Sequence, residues 1–178
     1  MTLPSPGKTS IQESASLPVF IEGIVVQGFG RGSKKLGCPT ANLSSEVVNR
    51  LDHLSTGVYF GYAVIVTGGS NTSKDNHSSA EDTDVHGMVC SLGYNPHFGN
   101  TTKSLEVHIL HSFQDDFYGA LLRVVIIDKI RDEKKFDTID ALVQAIEEDK
   151  EYTKRSLATG NFDHLCQQIK QFSPSLAS

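Results

Sequence analysis

The stretch Gly28-Phe29-Gly30-Arg31-Gly32-Ser33-Lys34-Lys35-Leu36-Gly37-Cys38-Pro39-Thr40-Ala41-Asn42 has four glycines, three cations and no acid, in a chain of net charge -5. Glycines let backbone N–H groups approach an anion closely, and Arg31, Lys34 and Lys35 can neutralise phosphate. The spelling matches neither common nucleotide loop. A Walker A loop needs GxxxxGK, but Gly28 is followed five places on by Ser33, and Gly32 by Gly37 and then Cys38. GxGxxG fails as well, because Ser33 and Lys35 stand where its third glycine would. Both standard loops belong to parallel βαβ sheets, so their absence bears on the fold. On composition alone, a hairpin with solvated cations is an equal alternative.

The flanking sequence supports a different architecture. Residues 19–27, rich in β-branched side chains, run straight into the glycine stretch as a strand. Gly57–Val66 and Val85–Gly93 read as further strands, and Gly93–Asn100 as a turn-rich loop. From Ser104 to His111 the alternation is clean: Leu105, Val107 and Ile109 point one way, Ser104, Glu106 and His108 the other. Ala120–Ile130 is another apolar strand. Asp137-Thr138 offers a helix N-cap, and Ile139, Leu142, Val143 and Ile146 recur at helical spacing with acids outside. That helix is expected to run to about Leu157, with a shorter one from Phe162 to Phe172. Strands in succession followed by a terminal helix indicate an antiparallel sheet or barrel.

Composition sets the outer limits. A chain of 178 residues, 38% hydrophobic and 21% charged, suffices for one domain with a core. Its acidic balance excludes a general nucleic-acid binder. Cys38, Cys90 and Cys166 are three and widely spaced, which indicates neither a disulfide framework nor a zinc knuckle. Residues 1–17 read as a flexible leader without a signal-peptide core, and no run reaches membrane-spanning length, so the cytoplasm is the default location. Residues 67–84 are almost wholly polar and read as a flexible insertion within a domain at 18–157, followed by a helical tail at 158–178.

Within the PTAN segment, Pro39 stiffens the chain before Thr40, and in extended backbone Thr40 and Asn42 share a face. A hydroxyl and an amide oxygen are hard donors suited to Mg²⁺. A Thr/Asn turn satisfying its own backbone is the more ordinary reading of the same residues. His108 and His111, on opposite sides of their strand, do not make a zinc pair.

GFGRGSKKLGCPTAN resembles the signature of the riboflavin kinases (flavokinases), of the monofunctional eukaryotic type. Gly57-Val58-Tyr59-Phe60-Gly61, Leu92-Gly93-Tyr94-Asn95-Pro96, Ser104–Ile109, Asp116-Phe117-Tyr118-Gly119 and Ile130–Asp137 resemble that family's further blocks, in order, over roughly residues 18–157. The resemblance implies a mainly β fold, a small six-stranded antiparallel Greek-key barrel with a C-terminal helix packed on it. It implies transfer of the ATP γ-phosphoryl group to the ribityl 5′-hydroxyl of riboflavin, giving FMN and ADP with a divalent ion. Mg²⁺ is the first expectation, with Zn²⁺ or Mn²⁺ as alternatives.

By the same resemblance Glu106 is the catalytic acid–base, and Thr40 and Asn42 are the metal and phosphate ligands. Gly28 and Lys34 fall on the loop over the nucleotide. Asn100, Thr101 and Ser104 lie toward the nucleotide end, and Phe117, Tyr118, Arg131 and Phe136 near the flavin. The 67–84 segment is longer than the family's usual hairpin, and the short leader leaves no room for the adenylyltransferase of the family's two-domain form. Riboflavin and ATP are thus the expected partners of a monomer, with no nucleic acid or membrane. A non-catalytic flavin-binding barrel, or a kinase of another small alcohol, remains as a rival reading.

Overall fold

The computed structural model describes residues 17–27, 40–66, 84–94, 103–113 and 115–173. Six strands and three helices follow one another: β1 (Val19–Val26), β2 (Ala41–Leu43), α1 (Ser45–Asn49), β3 (Gly57–Val66), β4 (His86–Tyr94), β5 (Lys103–Ile109), β6 (Leu121–Arg131), α2 (Ile139–Thr159) and α3 (Asp163–Gln171). The strands close into an antiparallel barrel in the order β1-β2-β5-β4-β3-β6. The six-stranded antiparallel barrel with a C-terminal helix expected from the sequence is therefore the fold. The chain crosses over from β2 to β3 and from β5 to β6, so neighbours in sequence are not always neighbours in the sheet.

Alternation decides what faces inward. Ile21, Val25, Ala41, Leu43, Leu105, Val107, Ile109, Leu122, Val124 and Ile126 fill the barrel, and Val48, Leu51 and Leu54 from α1 and the turn after it join the same core. β3 is buried on both faces, which explains its unbroken apolar run. Tyr59 and Ala63 point into the barrel. Phe60 and Val64 point outward and, with Val125 and Ile127, meet Leu165 and Ile169 of α3. Each such buried side chain stabilises by about 1.5–3 kcal/mol, so α3 is part of the folded unit.

Two glycines answer to geometry. Gly61 faces β6 beside a register shift between Phe60 and Gly61, and a Cβ there would overlap the Val125 carbonyl oxygen. Gly119 has φ of 82°, in the third position of a turn closed by Ala120 N–H donating to the Phe117 carbonyl at 3.1 Å.

The helix α2 begins as expected: the Thr138 hydroxyl accepts the Ala141 N–H at 3.1 Å. Its apolar face differs from the expectation. Ile139 is exposed and Leu142, Val143 and Ile146 are half-buried, whereas the fully buried residues are Asp149 and Thr153. The reason is an ion pair with the barrel, described below. The helix also runs two residues past Leu157, to Thr159 before Gly160.

Candidate active site

The barrel's antiparallel strands define two ends. At one lie the close of β1, the residues entering β2, the close of β5 and the start of β6; this is called the Thr40 end. At the other lie the starts of β3 and β5 and the closes of β4 and β6; this is called the Arg131 end.

Between the ends, on the outer surface, the register sets one row of residues side by side. Val26 pairs with Asn42, Asn42 with Glu106, Glu106 with Ser91, Ser91 with Val58, and Val58 with Arg131. Because Leu105 and Val107 are fixed in the core, Glu106 must face outward, and it is exposed. Ala41 and Leu43 fix Asn42 in the same way, half-buried beside it. Directly opposed residues of an antiparallel pair have Cβ atoms about 4.5–5.5 Å apart, so the Asn42 amide and the Glu106 carboxylate can share one ligand atom.

Thr40 lies immediately before β2, half-buried, on the wall of a pocket of about 60 Å³. Val25, Ile109, His111, Phe117 and Tyr118 also line it. The segment carrying these aromatics is pinned to β1, where Val25 N–H donates to the Ala120 carbonyl and Gly119 N–H to the Val25 carbonyl, each at 2.9 Å. Rings pack along it in series: His86 on His111 at 4.1 Å, His111 on Phe113 at 4.8 Å and Phe113 on Phe117 at 4.9 Å.

The Arg131 end is built differently. Arg131 closes β6, and its Nε and Nη2 both donate to the Asp149 carboxylate of α2, at 2.9 and 2.8 Å. Its Nη1 donates to the Asp132 carbonyl at 3.1 Å, and its guanidinium lies 5.7 Å from the centre of the Phe136 ring. Glu133 packs over Gly93, where any side chain would collide with its carboxylate. Gly93 is the register partner of Ser104, whose hydroxyl donates to the Gly93 carbonyl at 3.5 Å.

The structure thus pairs Asn42 with Glu106 and sets Thr40 two residues before Asn42, on the wall of the pocket, and it divides two sets expected to act as units. Phe117 and Tyr118 lie with Thr40, whereas Arg131 and Phe136 lie at the opposite end. Ser104, expected with the nucleotide, stands at the Arg131 end. Gly28, Lys34, Asn100 and Thr101 lie outside the described residues, as does the 67–84 segment except for Asp84. Two residues enter only through the structure: Ser91, from register, and Asp149, which reads from the sequence as one more solvated helix acid.

Among the described residues, no cluster of three or more His, Cys, Asp or Glu could hold a metal ion, and no helix is long and apolar enough to cross a membrane. Cys90 is enclosed in the core, and burial pushes its thiol up to about 12, which keeps it neutral and unreactive.

Comparison with known proteins gives a consistent result. A family model described as Flavokinase: Riboflavin kinase matches residues 15–157. The chain is similar to a riboflavin kinase of Homo sapiens, 46% identical over 142 residues that cover 79% of this chain and 82% of that one. It is similar to a riboflavin kinase of Pyricularia oryzae, 45% identical over 142 residues, 79% of this chain and 71% of the relative. Among solved structures, a riboflavin kinase from Trypanosoma brucei superposes with a TM-score of 0.63 at 22% identity, covering 89% of each chain; that likeness concerns the fold.

Proposed function

The chain belongs to the riboflavin kinase family, and from that premise we propose that it phosphorylates riboflavin at the ribityl 5′-hydroxyl. The hydroxyl oxygen bonds to the γ-phosphorus of ATP, the bond to the β–γ bridging oxygen breaks, and ADP leaves with that electron pair. The hydroxyl proton passes to the Glu106 carboxylate. FMN and ADP are the products.

The observation that carries the assignment of roles is the cross-strand pairing of Asn42 with Glu106, two residues from Thr40. Phosphoryl transfer depends on in-line positioning and charge neutralisation more than on covalent chemistry. A carboxylate beside a neutral amide and a hydroxyl suits that division of labour: Glu106 receives the acceptor's proton, and the other two hold the donor. A positioned base of this kind contributes about 10²–10⁴-fold.

The donor set fits a hard divalent cation. Thr40 and Asn42 supply neutral oxygens, and such a cation completes its shell with water and phosphate oxygens. Mg²⁺ suits this better than Zn²⁺, which prefers nitrogen and sulfur ligands, and Mn²⁺ is the closest substitute. When bound, the ion neutralises charge on the transferring phosphates.

The two-ended layout supports a revised distribution of the remaining residues. Phe117 and Tyr118 share a pocket with Thr40, which supports placing them with the nucleotide, the role the family resemblance gives to Gly28 and Lys34, which precede Thr40 in the sequence. Arg131, Phe136 and Ser104 lie at the other end, which supports placing the flavin there, with Asn100 and Thr101 on the segment leading to Ser104. Donor and acceptor would then approach from opposite ends, which suits an in-line transfer with the attacking and leaving oxygens on opposite faces of the γ-phosphorus.

The test is conversion of riboflavin to FMN by the purified protein, resolved by chromatography, with and without ATP and Mg²⁺. ATP-dependent FMN is the expected result. ATP consumption with another alcohol and no FMN would make it a kinase of that alcohol, and riboflavin binding without ATP consumption would make it a carrier.

A further inference from the structure

The segment from Asp132 to Asp137 joins the barrel to α2, and it takes part in no backbone-to-backbone hydrogen bond outside helices and strands among the described residues. Side chains tether it instead. Lys129 donates to Asp132, Arg131 to the Asp132 carbonyl at 3.1 Å, Glu133 lies over Gly93, and Phe136 packs near the Arg131 guanidinium. Two of these four contacts are made by Arg131, and Arg131 is itself fixed by Asp149.

Asp149 is well placed for this. It is 5% exposed on a helix whose neighbouring acids, Glu147, Glu148 and Glu151, are exposed. Both of its carboxylate oxygens accept from the one guanidinium, in the bidentate geometry that fixes orientation as well as distance. Its own turn is held by the Thr153 hydroxyl, which donates to the Asp149 carbonyl at 2.8 Å. Through Glu133, the segment reaches Gly93, the register partner of Ser104, on the same β4–β5 pair that sets Ser91 beside Glu106. A tether of side chains alone opens at lower free energy than a hydrogen-bonded ladder, so the conformation of this segment depends on its anchors.

We infer that Asp149 is a positioning residue for the acceptor: through Arg131 it holds residues 131–136 against the β4–β5 edge and so completes the flavin side of the site. The inference rests on the flavin lying at the Arg131 end. A carboxylate buried on α2 thereby acts on substrate binding at the far side of the ion pair, without touching the substrate. Loss of the pair affects riboflavin and leaves the Thr40 end as it was.

The experiment compares Asp149→Asn, Asp149→Glu and Thr153→Val with the wild type. Thr153→Val disturbs the same turn of α2 and keeps the ion pair, so it reports what mere loss of stability does. Asp149→Asn is expected to raise the KM for riboflavin at least tenfold while the KM for ATP stays within about twofold, a tenfold change corresponding to about 1.4 kcal/mol. Asp149→Glu, which keeps the charge but shifts the guanidinium on a longer side chain, is expected to give a smaller rise confined to riboflavin, and Thr153→Val to leave both KM values near wild type.

An unchanged riboflavin KM, an equal rise for both substrates, or the same rise in Thr153→Val would overturn the inference. If Asp149→Asn does not fold, Asp149→Glu decides: its longer side chain shifts the guanidinium, so a selective rise in riboflavin KM supports the inference and none refutes it. Quenching of riboflavin fluorescence, read without ATP, separates this inference from the proposed activity. A wild type that binds riboflavin more tightly than Asp149→Asn yet forms no FMN would sink the kinase reading alone. A wild type that does not bind riboflavin would sink both.

Discussion

Replacing Gly61 with alanine places a methyl group against the Val125 carbonyl oxygen of β6, with the Met88 Cε 3.0 Å away on the other side. Val125 is strand backbone at 0% exposure, and Met88 is equally enclosed, so neither neighbour can step aside into solvent. The β3–β6 ladder must open where its register already shifts, between Phe60 and Gly61. Overpacking of this kind costs about 1–3 kcal/mol, and each ladder hydrogen bond weakened adds about 0.5–1.5 kcal/mol. One or two such bonds bring the expected destabilisation to about 1.5–6 kcal/mol, a large share of the roughly 5–15 kcal/mol that holds a domain folded. Urea denaturation measures it as a lower midpoint at unchanged slope. The folded fraction should keep its KM for both substrates, since Gly61 lies off the row that carries Asn42 and Glu106. A loss below about 1 kcal/mol would refute the steric argument, and lost turnover at full stability would give this motif glycine a role at the site.

Other consequences are as direct. Thr40→Ala should raise the KM for Mg·ATP several-fold and leave riboflavin binding near wild type, as steady-state kinetics with each substrate varied would show; the reverse pattern would move Thr40 to the acceptor side. Burial raises the Cys90 thiol from 9.0 to about 12 in the folded protein. A raised folded value favours the protonated form, so its contribution to stability is complete below pH 9 and is lost as pH climbs toward 12. Stability, read by urea denaturation across that window, should fall less steeply with pH in Cys90→Ala than in the wild type, and Cys90 should resist thiol reagents at pH 8 until the protein unfolds.

Local chemistry was legible in the sequence wherever it was set by neighbours along the chain. The alternation of Leu105, Val107 and Ile109 against Ser104, Glu106 and His108 fixes the face of β5 without any knowledge of its partners. Thr138 announces the start of α2 because its hydroxyl reaches a backbone N–H only three residues on. What was not legible depends on closure. The pairing of Asn42 with Glu106 joins residues far apart in sequence through a crossover that no periodicity reveals. Asp149 looks like a solvated helix acid until Arg131 arrives from β6, 18 residues away in sequence, and buries it. The division of Phe117 and Tyr118 from Arg131 and Phe136 was by contrast within reach of the sequence: the two sets flank the 11-residue strand β6, and a strand rising about 3.3 Å per residue carries its two ends to opposite ends of the barrel. The short helix α1 shows the limit from the other side: Ser44 stands at its N-cap without a side-chain cap hydrogen bond, and five residues are too few to display a helical period.

The central claim is that Glu106 takes the proton of the attacking hydroxyl. Its most direct test is single-turnover formation of FMN by Glu106→Gln, which keeps the shape and removes the base. The account expects riboflavin and Mg·ATP to bind as in the wild type while the rate of FMN formation falls about 10²–10⁴-fold. A rate within a few-fold of wild type, with both substrates saturating, would contradict it and leave Glu106 as an outward-facing residue of β5.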